Sequence, residues 1–357
     1  MSRLKKYIFV GVIGLVVIFV LSFSLAGKIP SRNDLVSQPT NQPTNSLITT
    51  PTPATSTIIF VGDMMFDRYV AKKINEAQDP LLPFAKIKDF LDTADFLVGN
   101  LEGPISARGK NQGSAYSFRF EPVGTINALK YAGFDLVNLA NNHIYDYGLT
   151  AAKDTIDYLA DSGISYVGFG KNSTEANSPV IKKVGDANIA FLGYTEFYGS
   201  SARAGENTAG LSTWERQKII SEIKKARANP NIDLVVVNLH WGVEYKTSSS
   251  AFQKEMAHQL VDAGADLIVG HHPHVVQEVE KYSRTCERTN HANEESCGEV
   301  WAAYSLGNFI FDQNFSADTK KGLALKVDLV GKKIDSVQGL WVRFNSVYQP
   351  YLEEVSK

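Results

Sequence analysis

The stretch GADLIVGHHPHVVQ, from Gly264 to Gln277, sets an apolar run, LIVG at 267–270, directly before three of the chain's seven histidines, which fall within four positions. A short apolar run with no period of two, bounded by turn residues, reads as a strand buried on both faces. Strands of that kind belong to sheets covered on each side, as in α/β architectures. Imidazoles gathered at the end of one read as metal ligands, because surface loops seldom concentrate them this way. In a locally extended segment His272 and His274 project to one side and His271 to the other.

The same construction recurs along the chain. Candidate strands are TIIFVG (57–62), FLVG (96–99), LVNLA (136–140), ANIAFLGY (187–194), LVVVNLH (234–240) and AAYSLG (302–307). Between them, 83–94, 123–133, 151–163 and 252–264 space apolar residues three or four apart, and three of these four end at Gly. The segment 212–230 opens with Ser212 or Thr213 as a helix cap and Glu215 placed to close a capping box. GLALKVDLV (322–330) and SVQGLWVRF (336–344) read as antiparallel strands closing the fold. There is no internal repeat, and no composition break after residue 57, so 57–350 reads as one domain.

Polar residues gather where the strands end. Asp63 follows the first, Asn100 and Glu102 the second, and Asn141, Asn142 and His143 the third. His240 and Trp241 close the run at 234–239, and Asn308 follows the run at 302–307. In open α/β sheets the loops beyond the carboxyl ends converge on one crevice, so segments far apart in sequence supply a common site. Carboxylates, imidazoles and amides without a thiol suit one or two borderline divalent cations better than calcium, copper or an iron–sulfur cluster. Each residue also has a plainer reading. Asp63 can cap a helix or turn, His240 can be a hydrogen-bonded core histidine, and Asn141, Asn142 and Asn308 can be turn residues. His258, inside an amphipathic helix, and His291, in a polar loop, read as structural or exposed.

The ends carry different information. Arg3, Lys5 and Lys6 precede an uncharged stretch from Tyr7 to Ala26, YIFVGVIGLVVIFVLSFSLA, long enough at about 1.5 Å per residue to cross a bilayer. It reads as an anchor with residues 1–6 cytoplasmic and the main domain outside, although Lys28 and Arg32 dilute the charge bias. A cleaved signal is the competing reading, because Ser24-Leu25-Ala26 offers small residues at suitable spacing. Residues 27–56, rich in Pro, Ser, Thr and Asn, read as a flexible tether. The only cysteines, Cys286 and Cys297, bracket a polar loop. They read as a bridge in an oxidising compartment, as two unpaired thiols, or as part of a zinc site with His291. A formal charge of −2 leaves no overall basic field to hold nucleic acid.

Six segments together carry a resemblance: GDMMFDR (62–68), GNLEGPI (99–105), NLANNHIYDYG (138–148), LHWGVEY (239–245), GHHPHV (270–275) and YSLGNF (304–309). In order, they resemble the signature segments of the bacterial capsule-synthesis CapA family of poly-γ-glutamate synthesis proteins, within the calcineurin-like metallophosphoesterase group. That resemblance implies a four-layer α/β/β/α sandwich, two mixed sheets face to face with helices outside, here preceded by one transmembrane helix. It implies Asp63, Glu102, Asn142, His240, His272 and His274 as ligands of one or two divalent ions (Mn, Zn or Fe), with Glu102 bridging. His143, held by Asp146, is implied as the proton donor to the leaving group.

Three positions depart from the group's pattern. Met65 stands where a histidine is normal, Glu102 replaces an aspartate with Asn100 nearby, and an extra residue after Gly270 makes His271 an alternative ligand to His272. One metal position is thereby weakened and the other left complete. Asn100, Arg119 and Asn308 are candidate substrate contacts. Arg68 and Arg203 are further possible anion clamps, and the Gly-rich 197–210 reads as a loop bordering the crevice. The implied activity is a membrane-anchored, extracytoplasmic hydrolase or transferase working on an anionic envelope polymer with capsule synthase membrane subunits. A non-catalytic polymer-binding scaffold and a secreted phosphodiesterase are the rivals.

Overall fold

The apolar runs pair into two sheets, and each sheet puts one set of alternate side chains on its neighbour and the other set on helices. The computed structural model describes residues 53–283 and 299–353. The expected anchor, the tether up to residue 52 and the cysteine pair lie outside the described residues. Among those described, no helix is long and apolar enough to cross a membrane.

In the larger sheet Thr55–Met64 (β1), Phe96–Leu101 (β2), Leu136–Asn138 (β3) and Ser165–Val167 (β4) run parallel. A two-residue pair, Phe169–Gly170 (β5) with Gly210–Leu211 (β8), stands apart. The smaller sheet contains Val180–Val184 (β6), Ala187–Thr195 (β7), Leu234–His240 (β9), Leu267–His271 (β10), Val279–Ser283 (β11) and Glu299–Ala303 (β12). Its order is β11-β12-β10-β9-β7-β6, parallel in the middle and antiparallel at both edges. The larger sheet is completed by Asn308–Ile310 (β13), parallel to β1, and by Lys321–Val330 (β14), Lys333–Phe344 (β15) and Pro350–Leu352 (β16), antiparallel in the order β16-β15-β14-β1.

The helices are Arg68–Ala77 (α1), Lys88–Leu91 (α2), Pro122–Ala132 (α3), Gly148–Asp161 (α4), Ser173–Asn177 (α5), Arg216–Ala228 (α6) and Ala251–Ala263 (α7). Three apolar layers separate the parts of this mixed α/β sandwich. Ile59, Val61 and Val137 pack with Val70 of α1, Leu129 of α3 and Ile156 of α4. Their strand neighbours Ile58, Phe60 and Leu136 turn the other way, toward Ile189, Phe191 and Val236 of the smaller sheet. Phe96 stacks on Phe191 there, ring centroids 5.2 Å apart. Leu192, Val235 and Val237 then face Ile219 and Ile223 of α6 and Met256 and Leu260 of α7. Burial of both faces is why these strands lack a polar alternation.

Three local expectations change. Over 83–94 the apolar residues Phe84, Ile87 and Leu91 are buried as their spacing predicts. The backbone, however, closes i→i+3 bonds such as Ile87 N to Phe84 O, leaving a 3-10 turn at Leu82–Phe84 and the four-residue α2. Ser212 donates to Asn177 and Thr213 accepts from Arg203, so neither caps α6, which begins after Glu215 with no side-chain cap. The capping box lies instead at the start of α7, between Ser250 and Gln253. At 302–307 only Ala302 and Ala303 belong to a strand; the chain then crosses to β13 in the other sheet.

Two glycines permit that crossing. A Cβ on Gly62 would lie 1.9 Å from the carbonyl oxygen of Gly307, and one on Gly270 would lie 1.9 Å from that of Tyr304. Backbone cannot yield as a side-chain tip can, so Gly62→Ala is expected to cost about 3 kcal/mol or more of unfolding free energy. Gly199→Ala, where a Cβ meets nothing within 4 Å, is expected to stay within about 0.5 kcal/mol of the parent. Urea denaturation of the two variants checks the difference; equal midpoints would contradict the close approach.

Candidate metal centre

Strand register assembles the site in two rows. In the larger sheet Asn138 pairs with Asn100, Asn100 with Asp63, and Asp63 with Asn308. In the smaller sheet Thr195 pairs with His240, and His240 with His271. Glu102 follows β2 and donates its backbone N–H to Met64 O at 2.9 Å, while the turn after β3 supplies Asn142 and His143. Asp63, Asn100, Glu102, His240, His271, His272, His274 and Asn308 are all buried.

Two groups of polar atoms face one another. Asp63 stands 3.5 Å from His271 Nδ1 and 3.3 Å from His274 Nδ1. Glu102 Oε1 stands 3.6 Å from His274 Nε2, 3.8 Å from His143 Nε2 and 3.9 Å from His240 Nε2. His240 Nε2 also lies 2.7 Å from Asn142 Oδ1. Asn100 joins the groups, donating to Asp63 Oδ1 at 2.8 Å and lying 3.4 Å from His240 Nδ1. Asn138 Nδ2 donates to Asn100 Oδ1 at 3.0 Å and so turns the Asn100 amide hydrogens toward the carboxylates. Asn138 was not singled out from the sequence; its signal was an amide inside an apolar strand, a polar group at a core position that needs a partner.

Burial governs the ionisation. It pushes the Glu102 carboxyl well above the usual range, reinforced by the charges of Asp63, Glu244 and Asp146. Burial acts on Asp63 in the same direction, but the adjacent imidazoles of His271 and His274 outweigh it and hold that carboxyl well below the usual range. His240 is lowered by burial and then by His272, and His272 is lowered to about 3 by burial and then by His274. These two imidazoles are therefore neutral at ordinary pH, and a neutral imidazole keeps one nitrogen lone pair that can ligate an ion.

The donor set fits a divalent cation. Asp63, Glu102 and His240 each offer a ligand atom, all within 4.8 Å of one another. Glu102 Oε1, both ring nitrogens of His271 and Nδ1 of His272 are buried with no hydrogen-bond partner among the described residues. Orphaned polar atoms of this kind are costly. Ligands about 2.1 Å from a shared ion in tetrahedral array stand about 3.4 Å apart, close to the separations here.

The histidine run departs from the extended geometry. His271 ends β10 and its ring abuts Asp63, whereas His272 and His274 have φ of 98° and 57°. The chain turns sharply at these residues, so their side chains do not follow strand alternation. The His272 backbone N–H donates to Asp63 Oδ2 at 3.2 Å, and its ring packs on Phe197, centroids 4.0 Å apart. Met65 is buried in the core, its sulfur accepting the Asp67 N–H at 3.0 Å, and so supplies nothing to the cluster.

His143 borders the cluster as a dyad. Its Nδ1 lies 2.7 Å from Asp146 Oδ2, which also accepts the Phe118 N–H at 2.7 Å. His143 Nε2 is left facing Glu102 and a cleft of about 660 Å³ that His274, Asn142 and Arg68 also line. Asn308 orients His274 by a 3.0 Å contact, and its own amide donates to Gln313 and Thr319 O. Arg119 is placed elsewhere: its guanidinium covers the Tyr147 ring and lines a separate cavity against α1 and α3. Arg203 pairs with Glu215, and Arg68 with the buried Asp312. Of the loop 197–210, Phe197 touches His272 and the Tyr198 hydroxyl donates to Asn142 O at 2.6 Å. Asn141 is structural, its amide bonded to Leu101 O and to the N–H groups of His143 and Ile144.

The family described as bacterial capsule synthesis protein PGA_cap matches residues 57–313. The capsule biosynthesis protein CapA of Bacillus anthracis is 35% identical over 73% of this chain and 61% of its own length. The PGA biosynthesis protein CapA of Bacillus subtilis is 33% identical over 72% of this chain and 63% of its own. The chain thus spans less than two thirds of both relatives. A solved phosphatase from Mycoplasma pneumoniae superposes with a TM-score of 0.47 and 12% identity, over 82% of this chain and 94% of that one. A likeness of that degree assigns no reaction.

Because Glu102 is raised while His240 and His272 are lowered, Zn²⁺ binding is expected to expel a proton from the Glu102 carboxyl and none from those two imidazoles. Apparent affinity should therefore rise with pH across the range in which Glu102 ionises. Calorimetric titrations in buffers of different ionisation enthalpy check this, and affinity independent of pH would contradict it.

Proposed function

The chain belongs to the bacterial capsule synthesis family PGA_cap, and on that premise we propose a membrane-anchored, extracytoplasmic metal-dependent hydrolase or transferase of capsule assembly. It works on an envelope polymer, poly-γ-glutamate or polysaccharide, beside membrane subunits of the polymer synthase. The names of the two Bacillus relatives support the setting. The uncharged stretch Tyr7 to Ala26 supports the anchor. One observation carries the chemistry: a fully buried carboxylate oxygen, Glu102 Oε1, with no hydrogen-bond partner, faced by three imidazole nitrogens.

Asp63, His271 and His274 would hold one divalent ion, and Glu102, Asn142 and His240 would complete or share it, with His272 at the margin. A divalent ion bound there supplies Lewis acidity, polarising a phosphoryl or carbonyl oxygen and acidifying water. The chain's own groups do the rest. Asp146 fixes the His143 ring through Nδ1, so that a proton on Nε2 faces the cleft. The leaving-group oxygen or nitrogen takes that proton. Asn100 and Asn138 hold Asp63 in its ligating orientation. Phe118, packed 4.2 Å from the His143 ring centroid, shields the dyad from water.

A scaffold without turnover is the second reading, and the engagement of Met65 away from the cluster favours it, because the first motif then contributes Asp63 alone. Purified protein is expected to hold stoichiometric Mn, Zn or Fe by elemental analysis, and His240→Ala to lose most of it. His143→Ala is expected to retain metal while turnover of a chromogenic phosphodiester falls about 10²- to 10⁴-fold. Metal retained by the parent with no turnover of any phosphodiester or γ-glutamyl amide would decide for the scaffold.

A further inference from the structure

We infer that Arg68 is a substrate-orienting residue for the metal centre: the edge of its guanidinium that Asp312 leaves open donates to an anionic oxygen, carboxylate or phosphoryl, of the ligand that reacts there. The inference rests on the functional reading above and adds to it a residue that meets the ligand away from the ion.

Neighbouring groups hold the arginine in one place. Its Nε donates to Asp312 Oδ2 at 3.0 Å and its Nη2 to Oδ1, and the guanidinium lies 5.4 Å from the Phe118 ring centroid. Asp312 is sealed, its side chain 0% exposed, and it also accepts the Tyr69 N–H at 3.1 Å. The Arg68 side chain, by contrast, is 33% exposed and lines the cleft. Its Nη1 meets no acceptor among the described residues, so one edge of the planar fork answers the protein and the other is left for a ligand. The residue sits at φ 51°, a conformation that costs energy outside glycine and clusters at ligand sites.

Phe118 sets this open edge in register with the proton donor. Its ring carries the guanidinium and packs against the His143 ring, centroids 4.2 Å apart. Its backbone N–H donates to Asp146 Oδ2, the same oxygen that holds His143 Nδ1. One residue thereby locates guanidinium, imidazole and carboxylate together. A ligand oxygen bound by Arg68 stands at a set distance from His143 Nε2, which is what orientation for proton transfer requires.

The charges around the cleft leave this role to Arg68. Among the described residues lining it, no other side chain carries a fixed positive charge. Glu244 is negative, and Asp312 is neutralised by the arginine. A divalent ion held at Asp63 and Glu102 adds positive charge behind His143 and His274, whose Nε2 atoms face Glu102. Such an ion attracts an anion as a point charge and leaves it free to turn, whereas a planar donor at a second point fixes its direction. The plainer reading is an ion pair that only neutralises Asp312, a task lysine would perform as well.

The test measures binding of inorganic phosphate and of hexa-γ-glutamate to purified full-length protein, Mn²⁺-loaded and metal-free, with metal content and melting temperature determined on the same samples. Arg68→Lys keeps a cation beside Asp312, and Arg68→Ala combined with Asp312→Asn leaves no buried charge unpaired. Both variants are expected to bind at least one of the two anions roughly tenfold more weakly than the parent, with metal content unchanged. Loss confined to phosphate assigns the open edge to a phosphoryl oxygen, and loss confined to hexa-γ-glutamate assigns it to a carboxylate. A folded variant of either kind that binds both anions as tightly as the parent overturns the inference, as does parent protein that binds neither. Parent protein that takes up no Mn²⁺ defeats the functional reading instead, and Arg68-dependent anion binding by it would still uphold the clamp.

Discussion

Backbone pairing register sets the whole site. Because Asn138, Asn100, Asp63 and Asn308 are mutual partners in one sheet, their side chains emerge in a row. Because Thr195, His240 and His271 are partners in the other, they form a second row. The apolar layer of Ile58, Phe60, Ile189 and Phe191 holds the sheets face to face, which brings the rows together. A slip of one residue would turn each of these side chains toward the helices. The tight passages at Gly62 and Gly270 guard against that slip, since they fix where β1 and β10 meet the crossing chain.

Bringing such groups together has an electrostatic cost that the protein meets in part. The Asn100 amide, oriented by Asn138, lies between the two carboxylates, and His271 and His274 answer Asp63. Burial and the neighbouring negative charges push the Glu102 carboxyl up, and its Oε1 accepts no hydrogen bond among the described residues. A protein interior retains an unsatisfied acceptor of this kind where a ligand completes it. The dyad of His143 and Asp146 sits just outside, largely buried, with His143 lining the cleft.

Much of this was legible in the sequence. The buried strands announced themselves by apolar runs with no alternation, and the clustered polar residues by their place at the ends of those runs, as with Asp63 in β1 and His240 in β9. The antiparallel pair β14 and β15 was readable from its alternating pattern. What escaped depended on tertiary contacts. Whether Ser212 caps α6 or bonds to Asn177 is decided by a residue 35 positions away. Which of His271 and His272 meets Asp63 depends on a positive φ that spacing does not reveal. Arg119 and Arg68 are alike as sequence, and only packing sends one to Tyr147 and the other to Asp312 at the edge of the cleft.

The central claim is that Asp63, Glu102 and the histidines after β9 and β10 surround a common cation. Anomalous diffraction from crystals grown with Mn²⁺ or Zn²⁺, collected on both sides of the metal absorption edge, addresses it directly. The account predicts a peak about 2.0–2.3 Å from Glu102 and from at least one of His240, His271 and His274. Full occupancy at a surface site, with no peak between the two rows, would contradict it.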